Sequence, residues 1–221
     1  MKVGVIGAME IEIDVLRDQM TISDTKELAG MTFCVGEIGK NALVLVRSGV
    51  GKVNAGICAA LLRNVFNVDC IINTGAAGSL NNDLDIGDIL VSRDALYHDV
   101  DATVFGYEKG EVPQLGVRAF EADEKLVETA VETVRAAAPD VKAAVGRVAS
   151  GDQFISDSES KNRIRKDTQA DCCEMEGAAI AQACYLNKVP FVIIRAISDK
   201  ADGSRIVDYP VFEEQAARHC A

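Results

Sequence analysis

The chain of 221 residues has only two histidines, His98 and His219, and none of its seven cysteines forms a C-x-x-C pair. That argues against a zinc centre, which needs imidazoles or paired thiolates. No apolar run approaches the ~20 residues a membrane-spanning helix requires, and the opening MKVGVIGAME carries no signal-peptide cleavage region. Basic residues are also short: 23 Lys and Arg against 34 Asp and Glu leave a net charge of −11. Such a surface repels a nucleic-acid backbone but leaves a local pocket for a small neutral or zwitterionic ligand open. By itself, the acidity reads as solubility. Repeats, linkers and low-complexity segments are missing too, so residues 1–221 are expected to form one domain with a sizeable core.

What is present is a globular balance, 48% hydrophobic and 26% charged. Cys58 lies in GICAALL and Cys70 in DCIIN, the settings of reduced, buried thiols, so the expected compartment is a reducing cytoplasm. Strand-like runs are read at Lys2–Gly7, Met31–Glu37, Ala42–Arg47, Cys70–Thr74, Asp88–Ser92, Ala143–Ser150 and Phe191–Ser198. Helical patterns fall at Glu10–Met20, Lys52–Phe66, Asp123–Ala138, Glu159–Asp167 and Met175–Leu186, with Asp123 placed to cap its helix. Tyr97–Gly116 is polar and irregular. Alternating strands and helices predict a layered α/β domain, and the hairpin around Gly39-Lys40-Asn41 makes its sheet mixed. A last helix beginning near Val211 is expected to be cut short at Ala221, after about two turns.

Four segments carry candidate chemistry. Gly7–Glu12 joins a strand to a helix and places Glu10 and Glu12 where α/β proteins bind ligands. The same acids also suit a helix N-terminus. Asn73–Gly78 follows a buried strand; Gly75 and Gly78 admit close backbone approach to a ligand, and a plain tight turn fits equally well. It is neither a P-loop nor a G-x-G-x-x-G fingerprint. Glu174 and Glu176 flank Met175 at a helix start, as ligand groups or as caps. Arg195 lies inside the apolar strand closed by Ser198 and Asp199, where a buried charge needs a partner. Carboxylates in differing environments are what glycosidic cleavage needs, one protonated for the leaving group and one ionised to activate water.

The motifs VGVIGAMEIE, SGVGKVNA, NTGAAGSL, YHDVDATVFGYEKGEVP, SGDQFI, EMEGAAIA and RAISDKAD occur in that order between Lys2 and about Phe212. In them the chain resembles the 5′-methylthioadenosine/S-adenosylhomocysteine nucleosidases of the purine nucleoside phosphorylase superfamily. The resemblance implies an α/β fold with a mixed, partly closed central sheet surrounded by helices, a homodimer, and hydrolytic release of adenine with no metal or organic cofactor. It implies that Glu12 activates the attacking water and that Asp199, held by Ser198, protonates N7 of adenine. Glu176 would bond the ribose hydroxyls, Met175 would pack under the sugar, and Arg195 would order the polar end of the site. Phe154 would stack on adenine, and Ile155 would meet its edge through backbone groups. Met9, Val50 and Tyr209 would line the alkylthio pocket, closed by Phe105, Tyr107 and Pro113 of the partner subunit. Ala76, Gly78 and Glu174 complete the substrate-binding set. Relatives often carry Ser where Ala76 stands and Phe where Tyr209 stands.

Three other readings share this scaffold. A nucleoside phosphorylase must hold a phosphate dianion, for which arginine or helix N–H groups are suited. Glu10 and Glu12 occupy that end, and arginines nearby in sequence, Arg47 among them, are few. A non-catalytic nucleoside sensor is a second reading, against which both Glu12 and Asp199 are present. A hydrolase of another adenine nucleoside, such as a futalosine-type substrate, is the third, while Met9, Val50 and Tyr209 fit a thioether.

Overall fold

The computed structural model describes residues 1–202. Its sheet is built around β5 (Cys70–Ser79), whose Cys70–Asn73 half pairs in parallel with β1 (Lys2–Gly7). Beyond β1 the sheet continues as an open wing through β4 (Asn41–Arg47), β3 (Met31–Ile38) and β2 (Thr21–Leu28). On its other side β5 runs parallel to β10 (Phe191–Asp199) from Ile71 to Gly78. β10 pairs antiparallel with β6 (Ile89–Tyr97), and β6 pairs in parallel with β8 (Ala143–Ser150). β8 pairs with β9 (Cys172–Glu174), which returns to β5 at Gly78 and Ser79. Five strands therefore close on themselves, and the ring hides their edges from unwanted pairing. β7 (Ala119–Glu121) attaches to β6.

The expected α/β class, mixed sheet and partial closure are all found. One reading is corrected by the length of β5. Gly75-Ala76-Ala77-Gly78 is no tight turn but the second half of a strand, in register with Arg195–Asp199 of β10. Without that half, β9 would have only β8 to pair with and the ring would stay open. Its glycines serve close packing instead: a Cβ on Gly75 would collide with Arg195 Nη1 and Glu12 Oε1.

The helix expected over Glu10–Met20 is also broken, into a 3-10 turn at Glu10–Glu12 and α1 (Asp14–Gln19). Ile13 interrupts it at φ −126°, ψ −12°, while Glu12 bends back onto the N–H groups of Ala8 and Met9. α2 (Lys52–Asn64) packs on α5 (Gly177–Asn187), which begins two residues later than expected because Glu174 belongs to β9. α3 (Glu124–Ala137) is capped as expected, Leu126 N donating to Asp123 Oδ1 at 3.1 Å. α4 (Ser158–Thr168) covers the outside of the ring near β9. The main core gathers Phe33, Leu62, Phe66, Ile180 and Ile193 between sheet and helices. The helix expected near Val211 lies outside the described residues.

Candidate active site

A cavity of about 220 Å³ opens where the segment after β1, the second half of β5 and the ends of β9 and β10 converge. At one side lies Glu12, 1% exposed. Its Oε2 accepts from Ala8 N at 2.6 Å and Met9 N at 3.0 Å, and its Oε1 from Ala76 N at 3.1 Å. Three backbone donors replace the water an ionised carboxylate loses on burial, and they fix its orientation. Glu10 goes the other way. It is exposed and pairs with Arg17 and, at 3.5 Å, with Arg47. The expectation that both acids face the ligand is corrected: a 3-10 turn directs its first and third residues apart, and only Glu12 enters the cavity.

A buried ion cluster forms the floor. Arg195, 1% exposed, extends from β10 beside Gly75 and donates from Nη2 to Glu174 Oε2 and, at 2.6 Å, to Asn73 Oδ1. Nη1 donates to Ala76 O at 3.3 Å. Burial works against this charge, but Glu174, Glu176 and Glu12 outweigh it and hold the guanidinium pKa above its ordinary value. Glu174 Oε1 accepts from Ser150 Oγ, and Oε2 also accepts from Gly177 N at 2.7 Å and Glu176 N at 3.1 Å. Glu174 is thus both a helix cap and the guanidinium's partner.

Glu176 stands next to them in a different electrostatic setting. Its Oε1 accepts from Gly51 N at 2.9 Å, and its Oε2 lies 3.7 Å from Arg195 Nη2. Gly51 reaches that position with φ +97°, a conformation open to glycine. Burial, and then the charge of Glu174, push the Glu176 carboxyl up to about 7 against the pull of Arg195 and the Gly51 N–H.

On the opposite side Asp199 ends β10. Oδ2 accepts from Ser198 Oγ at 2.9 Å and Oδ1 from Ala201 N at 2.6 Å. Burial raises its pKa from the ordinary carboxylate value, and these two donors restrain the rise. The cavity therefore sets an oriented buried carboxylate, Glu12, against an acid with raised proton affinity, Asp199.

Apolar groups complete the walls. Met9, Val50, Phe154, Ile155 and Met175 line the cavity, with Phe154 and Val50 about half exposed at its mouth. Ala76, Gly78, Glu174, Glu176, Arg195 and Ser198 also line it. Tyr209 lies outside the described residues. Phe105, Tyr107 and Pro113 do not line this cavity, and Phe105 is 81% exposed. Sequence reasoning missed Ala8, Ala77, Gln153 and Cys173 in the lining, and the supports Gly51, Asn73 and Ser150. All but Cys173 fall inside the motifs quoted above, whose spacing alone gave them no role.

The phosphorylase superfamily model matches residues 2–221. A 5′-methylthioadenosine/S-adenosylhomocysteine nucleosidase of Staphylococcus aureus (strain bovine RF122 / ET3-1) is 44% identical over 216 residues, covering 97% of this chain and 93% of that protein. The crystal structure of such a nucleosidase from Colwellia psychrerythraea 34H, in complex with adenine, superposes with a TM-score of 0.95. It is 40% identical, with 100% of this chain and 91% of that one covered. The Neisseria meningitidis nucleosidase in complex with methylthio-immucillin-A gives the same TM-score and identity over 99% and 94% of the two chains.

Proposed function

The chain belongs to the phosphorylase superfamily, and from that premise we propose that it hydrolyses the N-glycosidic bond of 5′-methylthioadenosine and S-adenosylhomocysteine, releasing adenine and the thioribose product. Such a reaction serves methionine salvage and removes a by-product of methyl transfer.

The observation that carries hydrolysis over phosphorolysis is the surroundings of Glu12. A phosphate dianion needs free cations or N–H groups. Here the Ala8, Met9 and Ala76 N–H groups are already given to the Glu12 carboxylate. Arg47 pairs with Glu10 at the surface, and Arg195 is engaged by Glu174 and Asn73. A carboxylate held this way accepts a proton from water. Glu12 takes that proton as the water oxygen bonds to C1′ of the ribose. The C1′–N9 bond breaks, and its electron pair goes to the purine. Asp199 gives its proton to N7, so adenine leaves as a neutral base. The positive charge that develops on the sugar is stabilised by the carboxylates beside it.

Other roles follow from position. Glu176 accepts from the ribose hydroxyls and Met175 packs beneath the sugar. Arg195 keeps Glu174 and Glu176 in place. Phe154 stacks on adenine while Ile155 and Gly78 meet its edges. Met9 and Val50 receive the alkylthio group, with Ala76 beside the ribose. The partner is a second copy of the chain. A second, apolar groove of about 600 Å³ is lined by Val53, Ile57, Val112, Pro113 and Leu186, and exposed Val104 and Phe105 stand on the same irregular segment. In a two-fold dimer one patch serves both subunits, bringing Phe105, Tyr107 and Pro113 to the neighbour's alkylthio pocket. The six described cysteines are buried and free, which supports a cytoplasmic location.

The test is adenine release from 5′-methylthioadenosine, measured with and without phosphate. Free adenine and free methylthioribose are expected in its absence. Strict dependence on phosphate, with a sugar 1-phosphate as product, overturns the hydrolase reading.

A further inference from the structure

Lys161 is a lysine with no place in the chemistry above, yet it is only 6% exposed. It projects from α4, and its Nζ donates to the backbone carbonyl of Lys200 at 2.6 Å. Lys200 is the middle residue of the turn that follows Asp199. The next residue, Ala201, supplies the N–H that holds Asp199 Oδ1 at 2.6 Å. Ala201 has φ +52°, a left-handed conformation that a residue with a Cβ adopts at a cost. Such a conformation persists only where its surroundings over-determine it.

The surroundings here are specific. The Ala201 side chain is buried with Ile164, one turn along α4 from Lys161, and with Cys173 of β9. Gly78 leaves it room, since a Cβ there would come within 3.0 Å of both Ala201 Cβ and Asp199 Oδ1. Lys200 sends its own Nζ away, to Leu84 O and to Asp85 Oδ1 at 2.7 Å. Its carbonyl is met by Lys161 from α4. A buried ammonium that donates to a backbone carbonyl gains little stability for its desolvation, so its presence calls for a role at the turn.

We propose that Lys161 is a positioning residue for Asp199: by gripping the Lys200 carbonyl it locks the strained turn whose Ala201 N–H orients the acid. This rests on the assignment of Asp199 as the proton donor. The lysine also adds an electrostatic contribution. Burial raises the Asp199 pKa and Lys161 lowers it; the other titratable groups facing Asp199 are Asp202 on its own segment, which raises it, and Cys173 on β9. Burial holds the pKa of Lys161 itself below the ordinary lysine value. Asp199 must be protonated to act, so kcat falls as pH rises through its pKa. Loss of the Lys161 charge moves that alkaline limb to higher pH.

The experiment compares wild-type enzyme with Lys161→Met, Lys161→Arg and Asp199→Asn, measuring kcat, KM and the pH profile of kcat with 5′-methylthioadenosine. Lys161→Met is expected to lower kcat about 10–100-fold through a misplaced acid, with KM little changed and the alkaline limb displaced upward. Lys161→Arg, which keeps the charge and a donor, should recover most of kcat and the wild-type limb. A Lys161→Met enzyme with wild-type kcat and an unmoved limb overturns the inference, as does a Lys161→Arg enzyme no better than Lys161→Met. Asp199→Asn separates the two readings. Normal turnover in that variant removes the acid assignment itself, whereas an inactive Asp199→Asn beside a normal Lys161→Met removes only the role of Lys161. If Lys161→Met does not fold, Lys161→Gln carries the same comparison.

Discussion

Glu176→Gln should make the protein more stable above neutral pH while making it a poorer enzyme. Glu176 is 4% exposed, and burial together with the charge of Glu174 lifts its carboxyl from 4.5 to about 7. A pKa raised in the folded state means stability that is complete below about 4.5 and lost as pH climbs to about 7. At about 1.4 kcal/mol for each pH unit, the ionised side chain costs the fold about 3 kcal/mol at pH 8. Glutamine has no charge to desolvate, and its Oε1 still accepts from Gly51 N. The attraction of Arg195, 3.7 Å away, is already contained in that raised pKa, so the net gain at pH 8 stays at about 3 kcal/mol. For a chain of this size that corresponds to a Tm increase of about 6–12 °C. Below pH 4.5 the two proteins should melt together. An amide cannot accept from two ribose hydroxyls as a carboxylate does, and losing charged hydrogen bonds should lower kcat/KM about 10–100-fold. The assay is thermal unfolding of both proteins from pH 4.5 to 8.5, with initial rates alongside. Melting curves that stay the same distance apart at every pH would show that the pKa of Glu176 is not raised by burial as described above.

Arg195→Met removes the cation common to Glu174, Glu176 and Glu12, and leaves buried carboxylates uncompensated; a loss of about 3–5 kcal/mol is expected, read as a lower midpoint in urea unfolding at pH 7. A loss below about 1 kcal/mol would contradict the ion cluster's place in the fold. Replacing Phe105 and Tyr107 together with Ala should weaken self-association in sedimentation and raise KM for 5′-methylthioadenosine, with kcat changed much less. A fully active wild-type monomer would show that this segment serves its own subunit alone.

What was legible in the sequence depended on whether a residue's role was local. Arg195 and Asp199 stood out because charges in or ending the apolar run Phe191–Ser198 demand an explanation, and both line the cavity. Glu10 and Glu12 were indistinguishable by type and spacing; a 3-10 turn where a helix was expected sends one to the surface and the other inward. Gly75–Gly78 has a composition that a turn and a tightly packed strand share, and only pairing with β9 and β10 decides between them. β2 escaped because an exposed edge strand is held by backbone pairing to β3 and needs no apolar alternation. The supports of the site were the least legible of all. Asn73 and Arg195 are 122 residues apart, Gly51 and Glu176 are 125 apart, and Lys161 reaches a carbonyl 39 residues away. No periodicity links such pairs, since each exists only once distant segments have packed together. The carboxylates could therefore be picked out one at a time from type and position, but the difference between them came only with the family resemblance. Glu12 receives three backbone donors, while Glu176 receives one and faces a second buried carboxylate. That inequality of donors, set for Glu12 by its own turn and by β5, is what divides similar side chains into different chemical roles.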